Sequence, residues 1–177
     1  YSWPFVINPV FEGLAQSFVE SSPIDREAVL FCPLVSAQLK SVWEAYSSAT
    51  HQEWTGTVSD AMISPFIYRI HENTGAIVAS ETGSLSCPLW QHYPVTVELV
   101  NWDVLTINST AASAVENVAR IGEPSRVTGT VTQLSQDKVN EFLVHPVFNV
   151  DQQQQRGVGR VVVGVVIGVV ASVTVAP

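Results

Sequence analysis

Apolar residues recur at helical spacing near the start of the chain, where Val10, Phe11, Leu14, Phe18 and Val19 are separated by steps of one, three or four. With Pro9 suited to a first turn, the spacing predicts an amphipathic helix over residues 9–20, ended by Ser21-Ser22-Pro23. Ala28 to Cys32 is a short apolar run closed by Pro33, the pattern of a strand. Ser36 then fits an N-cap position. Leu39, Val42, Trp43 and Tyr46 form one stripe at i, i+3, i+4 and i+7, predicting a helix to about Thr50 with Trp43 and Tyr46 against the core.

The period changes over residues 63–80. ISPFIYRI and AIVAS are strand-like, and HENTG between them predicts a hairpin with Asn73-Thr74-Gly75 at its tip. Glu81 to Pro94 has turn chemistry but carries Cys87, Leu89, Trp90 and Tyr93, so it is expected to fold back over the core. VTVELVNW, 95–102, alternates like a strand, and Ser109 to Ile121 reads as a helix closed by Gly122. The stretch 122–140 is mostly polar, with a short helix expected near Gln136 to Phe142. HPVF, 145–148, is strand-like, and Asp151 to Gly159, with four consecutive Gln, is expected to be an exposed loop.

Val161 to Pro177 has no charge, which is close to the lower length for a membrane span, and Gly164 and Gly168 form a GxxxG pair. Nine of its seventeen residues are Val, and Leu is absent. β-Branched side chains lose rotamer freedom in helices and pack well on pleated sheets. The composition therefore predicts a strand over 161–172, buried on both faces, with glycines where another element comes close.

A length of 177 residues suits one domain, 1–177, and 46% hydrophobic against 14% charged residues supplies a core. The net charge of −8 and the lack of any basic run argue against nucleic acid and against direct contact with an anionic membrane. A small ligand stays open, because one Arg in a dry pocket can hold a carboxylate. Cys32 and Cys87, 55 positions apart, match no zinc spacing and read either as a disulfide or as two core thiols. One glycosylation triplet, Asn108-Ser109-Thr110, is what chance supplies. Tyr1-Ser2-Trp3-Pro4 has no signal-peptide character, so any export signal or anchor is expected outside this stretch.

The sequence carries no HExxH, GxSxG, Walker or GxGxxG pattern, so no catalytic residue, metal ligand or cofactor is expected. His51 with Glu53 reads as a solvated pair, His71-Glu72 as turn residues, and His92 and His145 as hydrogen-bonded core histidines. Glu116 and Glu123 have the spacing of a solvated face. Asp103, beside Trp102, is the carboxylate best placed for partial burial or for forming a turn. Arg69 inside PFIYRI either snorkels from a sheet edge or points into a pocket. Aromatic surface with a polar tip makes Tyr68, Arg69, Trp90, Tyr93 and Trp102 the candidate ligand-binding residues.

Ordered motifs run along the chain: Phe11-Glu12, Pro33-Leu34-Val35, Trp43-Glu44-Ala45-Tyr46 with Trp54, and Ile63 to Arg69. Pro88-Leu89-Trp90-Gln91, Val100 to Leu105, Pro146-Val147-Phe148 and Val161 to Val170 follow. In this order they resemble the extracytoplasmic sensor region of receptor-type guanylate/adenylate cyclases of diatoms and related microalgae. Ala171 to Pro177 departs from that family in lacking an aromatic-rich continuation. The resemblance implies an α+β fold of PAS-like, Cache- or CHASE-like build, an antiparallel sheet with flanking helices. It implies a non-catalytic ligand sensor on the extracellular face of the plasma membrane, between membrane anchors, signalling to a cytoplasmic class III cyclase domain. The expected partners are an unidentified small molecule, acidic if Arg69 holds it, and a second copy through a receptor homodimer. Two other functions stay open, a structural or dimerising ectodomain and a small hydrolase using His92 or His145.

Overall fold

The computed structural model describes residues 3–21, 26–56, 63–81, 83–130, 139–148 and 162–171. In chain order the elements are α1 (Phe11–Glu20), β1 (Arg26–Pro33), β2 (Val35–Ser36), α2 (Lys40–Thr50) and the single turn α3 (Gln52–Thr55). They continue with β3 (Tyr68–Ile70), β4 (Ile77–Ala79), β5 (Leu85–Ser86), β6 (Gln91–Tyr93) and α4 (Ser109–Ile121). The last three strands are β7 (Ser125–Thr130), β8 (Val139–Phe148) and β9 (Val162–Ala171). The fold is mixed α+β, built on a five-stranded antiparallel sheet of order β6-β1-β9-β8-β7.

β9 is the central strand, as its valines require: it pairs β1 on one side and β8 on the other. Successive side chains of a strand point to opposite faces, and here both faces are covered. Val165, Ile167 and Val169 join Leu30, Cys32, Phe142 and Val144 in one core, roofed by Ala114, Val115 and Val118 of α4. Val166 and Phe31 belong to a second core with Trp43, Trp90, Val97 and Val100. That second face is covered by α2, α1 and the segment ahead of α1. Of the two glycines, Gly164 meets a close neighbour, since a Cβ there would lie 3.0 Å from the Trp3 ring and 3.1 Å from the Cys32 carbonyl. At Gly168 the nearest atom, Leu143 Cβ, is at an ordinary 3.8 Å. Val161 and 172–177 lie outside the described residues, as do 149–160 with the expected Gln loop.

The expected hairpin forms, with β3 and β4 paired antiparallel from Tyr68↔Ala79 to Ile70↔Ile77. The expected helix over 109–121 forms too: Asn108 caps it by accepting from Ala111 N at 2.7 Å, and Gly122 closes it in the left-handed conformation. Residues 85–93 run beside 29–36 over the core, as expected of that apolar turn-rich stretch.

Several expectations are corrected. Residues 95–102 are not a strand: they make a 3₁₀ turn at Val97–Leu99, and Asn101 takes a positive φ of 68°. The cause is a buried polar node, because Asn101 Oδ1 accepts from Trp43 Nε1 at 3.1 Å. Its Nδ2 donates to Ser47 Oγ and to the Ser64 carbonyl, both at 2.9 Å. Residues 139–142 of the expected short helix are strand, since β8 pairs β7 and β9 there, and 136–138 lie outside the described residues. Ser36 precedes a 3₁₀ turn and makes no side-chain cap bond.

Both early helices form, and α2 turns Trp43 and Tyr46 to the core as expected, but not every apolar residue of either stripe follows. In α2 the buried residues are Trp43 and Ser47, and buried His51 follows them, while Leu39 and Val42 are exposed. The Asn101 node selects that face. His51 is thus not a solvated residue; its Nδ1 lies 3.0 Å from the Ser47 carbonyl. In α1 the inward residues are Phe11, Ala15 and Val19, leaving Val10, Leu14 and Phe18 in solvent. Among the described residues no helix is long and apolar enough to cross a membrane.

Candidate functional site

The residues from Trp3 to Val10 lie as an irregular strap across the second face of the sheet, and sequence-distant side chains hold them there. Trp90 Nε1 donates to the Val6 carbonyl at 2.8 Å. Gln91 makes a reciprocal pair with Asn8: its Oε1 accepts from Asn8 N at 2.8 Å and its Nε2 donates to Asn8 O at 3.0 Å. Phe5 packs on Trp43 and Tyr46, and Trp3 packs edge-on against Phe31. These contacts pair the Val6 carbonyl and the Asn8 amide and carbonyl and half-bury the strap's aromatics.

Two cavities border the strap and share Ile7, Asn8 and Phe11 as walls. One, of about 220 Å³, is completed chiefly by Glu12, Glu53, Trp54, Gln91 and His92 and is polar. The other, of about 260 Å³, is apolar, walled by Trp3, Val6, Phe31, Val147 and Val166. Each is below the usual ~300–1,000 Å³ of small-molecule sites, but side by side they fall within it. A third, open depression of about 600 Å³ at the start of α4 is lined by Ser109, Thr110, Ser113, Asn117 and Ser125.

Buried polar atoms in folded proteins almost always find partners. Among the described residues the buried side-chain nitrogens or oxygens with none are Trp3 Nε1, Trp54 Nε1, His71 Nδ1 and His92 Nδ1. Three of these four belong to residues walling the two cavities. His92 is only 2% exposed, and its ring lies edge-on to Trp54 at 5.7 Å. Its Nε2 sits 2.9 Å from the Thr96 carbonyl and 2.8 Å from the Thr96 amide.

Burial lowers the His92 pKa to about 4, opposed only in part by the nearby backbone of Thr96 and Trp90. The ring is therefore neutral at pH 7. An unfolded His takes its proton near pH 6.5, so between about 6.5 and 4 the unfolded chain holds the extra proton. The stability that a neutral His92 contributes is complete above about pH 6.5 and is lost as pH falls towards 4, about 3 kcal/mol in all. Urea midpoints of wild type and His92→Gln should therefore converge as pH is lowered through that window. A pH-independent gap between them would show that His92 does not titrate this way.

None of the five residues expected to bind ligand walls either chamber. Tyr68 and Trp102 are in the core under α4, where the Tyr68 hydroxyl donates to the Glu98 carbonyl. Burial, with the Glu98 carboxylate adding to it, raises the Tyr68 pKa. Trp90 is wholly buried behind the strap, and Tyr93 is half-buried on edge strand β6 opposite Val29. Arg69 is half-buried on the β3–β4 hairpin opposite Val78.

Asp103 is fully buried, with Oδ2 accepting from Ser80 Oγ at 2.8 Å and Oδ1 from Cys87 N and Leu105 N at 3.0 and 3.2 Å. Cys32 and Cys87 are free, buried thiols, Cys87 Sγ lying 3.7 Å from the Cys32 carbonyl. Burial, and then the adjoining Cys32 thiol, hold the Cys87 pKa well up, so it is a thiol rather than a thiolate. His145 is exposed on β8.

Sequence reasoning missed Asn8, Glu12, Glu53 and Gln91 as a group, and placed Trp54 only as a motif residue. Glu12 and Gln91 belong to elements 79 positions apart in the chain. The one usable signal was Trp90-Gln91-His92, three large polar-tipped residues in a row within an otherwise turn-like stretch. No protein-family model matches the chain. No curated protein shows significant sequence similarity to it.

Proposed function

We propose that this chain is a ligand-recognition domain without chemistry of its own, and that its small-molecule site is the two-chamber cleft along the N-terminal strap. The observation that carries this reading is that three of the four orphaned buried nitrogens among the described residues, those of Trp3, Trp54 and His92, belong to residues that wall those chambers. An unpaired buried polar group costs about 1–3 kcal/mol, which a bound molecule supplying partners would offset. The strap is tied to β6 by Gln91 and to the core by Trp90, so a molecule seated beneath it has a direct mechanical route into the sheet.

The wider setting is the one the sequence motifs suggest: a PAS- or Cache-like sensor outside the membrane, belonging to a receptor-type nucleotide cyclase. The order of those motifs along the chain is what supports it.

The cleft is tested by fragment titration of the ¹⁵N-labelled chain, using a set of amines, acids and neutral compounds. Indole N–H signals of Trp3, Trp54 and Trp90 should move, while that of Trp102, in the opposite core, should not. Uniform silence across all fragment classes, or shifts confined to Trp102, would defeat the reading.

A dimerising ectodomain is the second reading, favoured by the exposed α1 row of Val10, Leu14 and Phe18 at 59, 62 and 48% exposure. A concentration-independent monomer in sedimentation would remove it.

A further inference from the structure

We propose that Cys32 and Cys87 close an intramolecular disulfide when the chain folds under oxidising conditions, a covalent staple between β1 and the link from β5 to β6. The bond does not depend on what the cleft binds.

The chain has two cysteines in 177 residues, and the fold brings them side by side across 55 positions of sequence. Both are 0% exposed, and both side chains enter the core under α4. Cys87 Sγ lies 3.7 Å from the Cys32 carbonyl, and the two thiols are within hydrogen-bonding reach of each other. A cysteine that serves as a small apolar side chain needs no second thiol beside it.

Backbone contacts that involve no sulfur hold the pair in place. On one flank Phe31 lies opposite Gln91, and its carbonyl accepts from Trp90 N at 2.9 Å. On the other flank Val35 lies opposite Ser86. Cys32 and Cys87 fall between these two points, where the segments run alongside each other. Cys87 is pinned further, its amide donating to Asp103 Oδ1 and its carbonyl accepting from Val104 N, both at 3.0 Å. Cys32 is fixed from the other side by β9, opposite Val165. A disulfide tolerates a narrow range of backbone separations, and here the main chain sets the separation without help from the sulfurs.

The oxidant is a small disulfide such as oxidised glutathione. One cysteine thiolate attacks it, forming a mixed disulfide and expelling one glutathione thiolate. The second cysteine thiolate then attacks the chain's own sulfur in that mixed disulfide. The Cys32–Cys87 bond forms and the second glutathione thiolate leaves. The two cysteines give up two electrons and two protons, and the glutathione disulfide ends as two thiols. Once folded, the chain is closed to this exchange, because both sulfurs are buried and burial keeps Cys87 a thiol. The bond therefore forms during folding, while the sulfurs still meet solvent, and burial protects it afterwards. Disulfides persist in oxidising compartments, so the bond fits the extracytoplasmic setting proposed above.

The test refolds the reduced, unfolded chain in a mixture of reduced and oxidised glutathione and, in parallel, in reductant alone. The oxidised product should be monomeric, lighter by two hydrogens, and without a titratable thiol in urea. Dithiothreitol should fail to reduce it while it is folded and succeed once urea unfolds it. Closing a loop of this length should lower the unfolding equilibrium constant about thirty- to a thousandfold, read as a higher urea midpoint than that of the reduced chain. Two titratable thiols after oxidative refolding, glutathione adducts, or disulfide-linked dimers as the folded product would each overturn the proposal. So would an internally bridged chain less stable than the reduced one. None of these outcomes bears on the fragment titration, so the cleft stands or falls separately.

Discussion

Alanine at Trp43 is expected to lower the unfolding free energy by about 3–5 kcal/mol, the cost of emptying a fully buried aromatic site. Trp43 is 0% exposed and lies at the centre of the second core, its ring 5.2 Å from Trp90, 5.6 Å from Tyr46 and 6.4 Å from Phe5. Its indole N–H also anchors Asn101 at 3.1 Å, so the loss has a packing part and a polar part. Trp43→Phe separates them: most of the volume stays and the donor goes, for an expected loss of about 1–3 kcal/mol. Urea denaturation of the three proteins measures both. A loss under about 0.5 kcal/mol for the alanine variant is surface behaviour and would mean α2 presents another face. Because Phe5 of the strap stacks on Trp43, the alanine variant should also loosen the strap and weaken whatever the cleft binds.

Asp103→Ala should be comparably damaging, about 3–5 kcal/mol. The carboxylate is fully buried and ties three chain segments together: Ser80 after β4, Cys87 after β5, and the turn at Leu105. Removing it strands buried donors, at about 1–3 kcal/mol for each group left unpaired. Asp103→Asn keeps one acceptor oxygen and so should lose less than the alanine variant. Equal losses for Asn and Ala would show that the negative charge, not the geometry of acceptance, is what matters. An alanine variant as stable as wild type would remove the node altogether. Neither chamber of the cleft touches Asp103, so a folded Asp103→Asn protein should retain ligand affinity. Trp43 and Asp103 therefore distinguish a loss of fold from a loss of the site.

Much of the fold was legible from short-range pattern. The valine-rich tail with no Leu could be read as a sheet strand, and it is the central one. Ser109 to Ile121 has a helical face, and Gly122 stops it in the left-handed conformation. The 68–79 hairpin has β-branched arms around a turn. In each case the local preference and the tertiary demand agree, so the pattern suffices. The same logic failed for 95–102, where alternation suggested a strand. There Asn101 answers to Trp43, Ser47 and Ser64, partners that lie 37 to 58 positions away.

By itself the sequence determined that this chain would combine strands, one of them central and valine-rich, with helices around a core rich in aromatics. Apolar period and β-branching dictate which segments become helix or strand, and they act within a few residues. Only the tertiary structure decided which side of α1 faces inward. In α1 the sequence offers Val10, Leu14 and Phe18 as readily as Phe11, Ala15 and Val19, and contact with β1 and β6 selects the second set. The cleft is likewise a tertiary product. Its walls come from the strap, α1, α3 and β6, and Gln91 reaches Asn8 across 83 positions. No local pattern can report which side chains a fold will bring together over that distance, because their meeting depends on the packing of every element between them.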